Sequence, residues 1–259
     1  MDLATILGLI IGPAGVIGGL LLEGGKISDI TQPTAAMIVL GGTLGCLMIQ
    51  YPLPIVIQSI ISYKDVLMDH NEKPDHVIGQ IVEFANKARK EGLVALEGDV
   101  QTVKDEFFKK AMMMAIDGAT LKDVQESLEL ELHYMEEHGE HPIKFWEAAG
   151  AFAPTMGIVG AVMGLIQVMK NLQDIEAVGH GIGVAFVATI YALLFANWFF
   201  LPASGKLKVK HRREIIMKEM IVSGVLLIIE GINPRVIKDK LFNFFDEKIK
   251  ASNKEEKAG

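Results

Sequence analysis

Residues 3–22, 34–54, 148–169 and 181–201 carry no charged side chain, and each stretch is long enough to cross a lipid bilayer. About 20 apolar residues at 1.5 Å rise span roughly 30 Å, the thickness of the hydrocarbon layer. The chain therefore reads as an integral membrane protein. None of the four stretches contains an acid. If such a protein moves protons, a partner must bring the titrating group.

Half the residues are hydrophobic and mean hydropathy is +0.33, high for a soluble domain but low for a chain lying wholly in lipid. A sizeable water-facing part follows. The reading is four segments: membrane helices in 1–61, a helical water-facing domain in 62–147, membrane helices in 148–202, and a C-terminal helix and tail in 203–259. The first apolar stretch lacks a basic leader and a small-residue cleavage site, which argues against a signal peptide. Cys46, the only cysteine, lies inside the second stretch, so no internal disulfide or cysteine zinc site can form.

Orientation follows from lysine and arginine. Lys206, Lys208, Lys210, Arg212, Arg213 and Lys218 crowd after the fourth stretch, and Lys64 and Lys73 follow the second. The short connections hold only Lys26 and Lys170. The positive-inside rule then places both large segments and both termini in the cytoplasm, with the two hairpin tips outside.

Between the second and third stretches, Val77, Ile78, Ile81, Val82, Phe84 and Ala85 form a helical stripe opposite Glu83, Lys87, Arg89 and Lys90. Gly92 interrupts that pattern. Further helices are expected over 93–116 and 121–137, the latter rich in glutamate. No strand-like alternation occurs, so the expected class is all-α. The tip 251–259 reads as frayed. Residues 62–147 are acidic overall and the tail is basic, so the two pack together or divide two tasks. The plainer alternative is that the tail's cations hold topology and touch anionic lipid.

The membrane stretches contain small residues at helical spacing: Gly8, Gly12, Gly15 and Gly19; Gly157, Gly160 and Gly164; Gly181, Ala185, Ala188, Ala192 and Ala196. Such rows let helix backbones approach closely. The polar exceptions are few. Thr155 follows Pro154 in the third stretch, and Thr189 lies near the middle of the fourth. Proline removes a backbone donor and frees a carbonyl. A hydroxyl beside it can bond backbone, water or a partner's carboxyl, or can simply bond its own i−4 carbonyl. Pro202 is expected to close the fourth helix.

At these residues the chain resembles the MotA/PomA family of flagellar stator subunits. Ala185-Phe186-Val187-Ala188-Thr189-Ile190, followed by Tyr191-Ala192-Leu193-Leu194 and then Pro202, is similar to the family signature, with Ala192 where glycine is usual. The run from Ala151-Phe152-Ala153-Pro154-Thr155 to Gly160 resembles its third span. Ala88-Arg89-Lys90-Glu91-Gly92-Leu93 through Leu96-Glu97 resembles its rotor-facing segment, and the two-plus-two layout matches across nearly the whole length.

The resemblance implies an ion-driven rotary motor in the cytoplasmic membrane. Five copies of such a chain surround two copies of a single-span MotB- or PomB-type partner, whose intramembrane aspartate carries the ion. Pro154, Thr155 and Thr189 map onto positions facing that aspartate. Pro202 maps onto a torque-coupling position, and Arg89 and Glu97 onto charges that engage a FliG-type rotor protein. On an uninterrupted helix those two would stand about 80° apart, with Gly92 between them. Sodium-type members carry threonine where this chain has Ala161 and Ala188. Those hydroxyls could replace part of a sodium hydration shell, so their absence points to protons.

Competing readings are a TolQ/ExbB-like energiser, which normally has three spans, and a non-conducting membrane scaffold. His133, His138 and His141 match no zinc spacing, and no cofactor is implied. The run 112–114 of methionines reads as packing. No nucleophile–base–acid set exists, so no enzyme is expected, and net charge −7 argues against nucleic acid.

Overall fold

The computed structural model describes residues 3–68 and 73–244; the 251–259 tip lies outside them. It is all-α, with no strand among the described residues. The chain forms two compact units. One joins Met1–His70 to Gly139–Val209, and the other joins Asn71–His138 to Lys210–Gly259.

The first unit holds the four apolar helices. The first span is Leu3–Leu22. A single 3-10 turn, Ile27–Ile30, leads to the second span, which starts at Pro33–Ala36, widens through a π-helical turn at Met37–Gly41 and ends as Gly42–Gln50. Tyr51 and Pro52 are extended, and a separate helix, Leu53–Leu67, begins behind them. The second span therefore stops earlier than its apolar run, because Pro52 cannot continue the ladder and disfavours a helical residue before it.

Two expected boundaries are absent. Helix Leu121–Lys170 runs for 50 residues without a break, through Pro142 and Pro154. The acidic pattern and the third span are thus one helix. Pro202 likewise does not close the fourth span. That span starts at Ile175, capped by Asp174, passes through a π-helical stretch at Phe195–Phe200 and continues as Leu201–Ile229. The wider turn immediately before Pro202 explains its tolerance. Proline lacks an N–H and clashes with the carbonyl four residues back; a local π adjustment absorbs both defects.

Bare backbone lets the third and fourth spans meet. Gly157 packs against Ala192 and the backbone of Ala188 and Thr189, and Gly160 against Ala188. Gly164 faces the Gly181 carbonyl and Ala185, while Gly150 lies under Leu201. The second span closes the group with Ala35 and Val39 buried beside Val187, Ala188 and Ala192. Its N-terminal end is fixed by one side chain. The Tyr191 hydroxyl donates to the Ile30 carbonyl at 2.6 Å and accepts from the Gln32 N–H at 3.1 Å. At the other end, Trp146 donates to the Ser59 carbonyl at 3.0 Å and stacks on Phe200, with Tyr63 edge-on.

The second unit has its own core. Helix Pro74–Glu91 buries Val77, Ile78, Ile81, Phe84 and Ala85, the stripe read from sequence. These pack with Phe107, Phe108, Ala111 and Met112 of helix Glu106–Ile116, with Val124 and Leu128, and with Met220, Ile221 and Val225 from the C-terminal segment. A nearly buried ion pair joins the acidic and basic segments: Lys218 Nζ lies 2.5 Å from Asp105 Oδ2. Asp105 also caps its helix by accepting from Phe108 N at 2.9 Å.

A side chain at Gly164 would meet backbone 2.6 Å away, which cannot yield as a flexible tip could. Gly164→Val should cost about 1–3 kcal/mol, in the range of overpacked cores. Gly15→Ala, in open space, should cost little. Thermal unfolding of the detergent-solubilised protein will separate the two.

Candidate functional site

The glycine contacts fix the register of two antiparallel helices and hence the level of each polar residue. Gly160 sits opposite Ala188 and Gly157 opposite Ala192, so Thr189 falls between these levels. Thr155 lies just beyond Gly157, toward the end marked by Gly150 and Leu201. The two threonines therefore occupy neighbouring helices, with Thr155 about five residues, or ~7 Å, further along the axis.

Both hydroxyls spend their proton at home. Thr189 Oγ1 donates to the Ala185 carbonyl at 3.1 Å, and Thr155 Oγ1 donates to the Phe152 carbonyl at 2.7 Å. One of the two is the i−4 bond expected of an isolated threonine; the other reaches i−3, beside the proline. Pro154 has no N–H, so the Gly150 carbonyl loses its usual i+4 donor. A hydroxyl that has committed its one hydrogen retains only acceptor capacity. Thr155 is exposed on the third span, and Thr189 is half-buried on the fourth. Ala161 is half-buried, whereas Ala188 is fully buried with its methyl against Gly160.

Pro202 is exposed near the Gly150–Leu201 contact. Beside it, Ser204 is buried and donates to the Ile143 carbonyl at 3.0 Å. The backbone on one side of Pro202 is thus tied to the third helix. On the other side, Phe200 stacks on Trp146.

Arg89 and Glu97 belong to the other unit. Arg89 lies in the last turn of Pro74–Glu91, which ends at Gly92 with φ +85°, a conformation open to glycine. The chain then turns through Leu93–Leu96, and Glu97 opens the single turn Glu97–Val100. The two charges are therefore not on one helix. Both are exposed. Their segments are fastened together by Lys87 and Asp99, 2.7 Å apart, and the Asp99 carboxylate holds the Lys87 ammonium above its ordinary range.

Sequence reasoning missed two groups of residues. Arg89 shares a groove of about 480 Å³ with Lys90, Arg235 and Lys238, and with Asn86 and Asn233. Arg235 and Lys238 come from helix Pro234–Leu241, which no local pattern connects to Arg89. The second omission is Asn197, an exposed amide inside the fourth span. Its presence in an uncharged stretch was a signal open to a sequence reader.

Comparison with known proteins gives consistent results. Residues 99–220 match the model of the MotA/TolQ/ExbB proton channel family, and residues 6–92 match that of the Motility protein A N-terminal region. Motility protein A of Helicobacter pylori is 36% identical over 244 residues, covering 94% of this chain and 95% of its own. The solved structure of C. jejuni MotAB superimposes with TM-score 0.90 at 35% identity, covering 95% of this chain and 96% of that one. The flagellar MotAB stator complex from Bacillus subtilis gives 0.88 at 31%, covering 97% and 99%. On these matches, which between them take in both apolar hairpins and the water-facing segments, the chain belongs to the MotA/TolQ/ExbB proton channel family.

Proposed function

We propose that this stator ion-channel subunit works as a proton-conducting sleeve around a partner's carboxyl group. The protein is a multi-pass inner-membrane protein, and we place both termini in the cytoplasm on the strength of its lysine and arginine distribution. The single-span partner is of the MotB type, the chain with which the similar solved structures were determined as complexes. By family resemblance, five copies surround two partners.

The observation that carries the sleeve reading is the commitment of both threonine protons to their own helices. Their oxygens can accept from a neutral carboxylic acid, which has an O–H to give. They offer nothing to a carboxylate, which only accepts. The threonine level therefore favours the protonated form of the partner's aspartate, and departure from that level accompanies deprotonation. This difference in binding between two charge states is what a step needs, because a ligand shifts an equilibrium only by its differential affinity. Each proton crossing about 100 mV supplies roughly 2.3 kcal/mol.

With alanine at 161 and 188, few hydroxyl oxygens are left to replace a sodium ion's water, and the methyl of Ala188 is packed against Gly160. Motor speed should follow the proton gradient and stay constant as external sodium is replaced by potassium. Sodium-dependent swimming would exclude this ion choice. Thr189→Ala and Pro154→Ala should each lower proton uptake about tenfold or more, a barrier increase of ~1.4 kcal/mol. Co-purification with the partner should be retained. A scaffold that conducts nothing would keep swimming in both variants.

Torque is delivered through Pro202 and the water-facing unit, where Arg89 and Glu97 meet a FliG-type rotor protein. The groove beside Arg89 adds positive charge to that surface. Exposed single pairs are worth about 1 kcal/mol or less, so each reversal alone should slow swimming partially and the double reversal more. Tethered-cell rotation measured with membrane-level controls tests this, and unchanged rotation in all three variants rejects the rotor assignment.

A further inference from the structure

Thr43, in the Gly42–Gln50 part of the second span, is 2% exposed, and its hydroxyl meets no hydrogen-bond partner among the described residues. A threonine inside a helix ordinarily bonds the carbonyl four residues back, as Thr189 does. For Thr43 that carbonyl belongs to Val39, in the π-helical turn, where it accepts from the Gly42 N–H. A buried hydroxyl left without a partner is costly, most of all in a helix surrounded by lipid.

A second buried polar group lies at the same level. Pro154 deprives the Gly150 carbonyl of its helical donor, and Gly150 is buried. Ile38 lies against Gly160 and Met156 against Gly42, so the second and third spans run antiparallel and Thr43 falls just past Met156. Leu47, one turn further, packs in the cluster that contains Ala149. Thr43 thus stands between the Met156 and Ala149 levels, and so does the Gly150 carbonyl, which points toward residue 154. By the same register Ala153 and Ala196 occupy this level; both are buried, and their methyl groups offer no hydrogen bond.

We propose that the Thr43 hydroxyl and the Gly150 carbonyl hold one water molecule, which clamps the second span to the gap that Pro154 leaves in the third span's hydrogen-bond ladder. The two groups are complementary to such a ligand. The water accepts the Thr43 hydrogen and donates to the carbonyl, which gives it two of the roughly 2–4 polar partners a buried water takes. Thr155 and Thr189 cannot act this way, because their protons are committed to their own helices. The clamp rests on packing alone and stands apart from the channel reading.

Thermal unfolding of the full chain, purified in detergent with its partner, tests it. Thr43→Val keeps the shape and exchanges the hydroxyl for a methyl. It should lower the unfolding midpoint by about 2–4 °C. In a Pro154→Ala background the new N–H occupies the Gly150 carbonyl, and the same valine change should then lower the midpoint by less than about 1 °C or raise it. A hydroxyl that is merely dry would gain from its replacement, so an unchanged or raised midpoint for Thr43→Val beside Pro154 overturns the clamp. An equal drop in both backgrounds overturns it as well. If the valine variant does not assemble, Thr43→Ser and Thr43→Ala take its place, again differing in a hydroxyl. Serine should melt above alanine with Pro154 present and level with it in the Pro154→Ala background; any other order overturns the proposal. No ion gradient enters these measurements, so normal conduction by Thr189→Ala would remove the channel reading and leave the clamp standing.

Discussion

Close backbone contact between the third and fourth spans is the constraint on which the membrane unit depends. Water is absent from the surroundings, so burying apolar surface gives these helices little reason to associate; packing and sparse hydrogen bonds must do it. Gly157, Gly160 and Gly164 remove the side chains that would hold the two axes apart, and Ala192, Ala188 and Gly181 meet them with a methyl or less. The contact has a chemical consequence. It fixes the levels of Thr155 and Thr189, so the height of each acceptor is set by backbone rather than by flexible side chains.

Economy of polar groups follows from the same setting. Three polar side chains of the third and fourth spans have local partners: Thr155 bonds Phe152, Thr189 bonds Ala185 and Asn197 bonds Leu193. Such bonds keep a helix stable in lipid before any assembly exists. What remains after they are counted is the part available to an ion or a partner. For the threonines that remainder is a lone pair.

Much of this was visible in the residues. The four spans, the all-α class and the buried stripe from Val77 to Ala85 follow from hydropathy and helical period; the small-residue rows of the third and fourth spans marked their contact face, whereas in the first span Gly8, Gly15 and Gly19 face open space. The boundaries were less legible. Pro202 looked like a stop signal, yet the π-helical stretch before it is a cooperative backbone adjustment that no single residue announces. The end of the helix expected over 121–137 was equally illegible: Ile143, Phe145 and Trp146, buried further along, belong to the same helix, which continues into the third span. Arg235 and Lys238 reach Arg89's groove only through the folding of distant segments, and local pattern carries no record of that.

The Tyr191 clip has an evolutionary corollary. Both atoms it holds, the Ile30 carbonyl and the Gln32 amide, are main chain, and every amino acid except proline at position 32 could supply them. Drift in the side chains of that connecting loop would leave the fastening untouched. The phenol is the one side chain in the fastening, so the loop's own side chains can diversify while its root stays anchored.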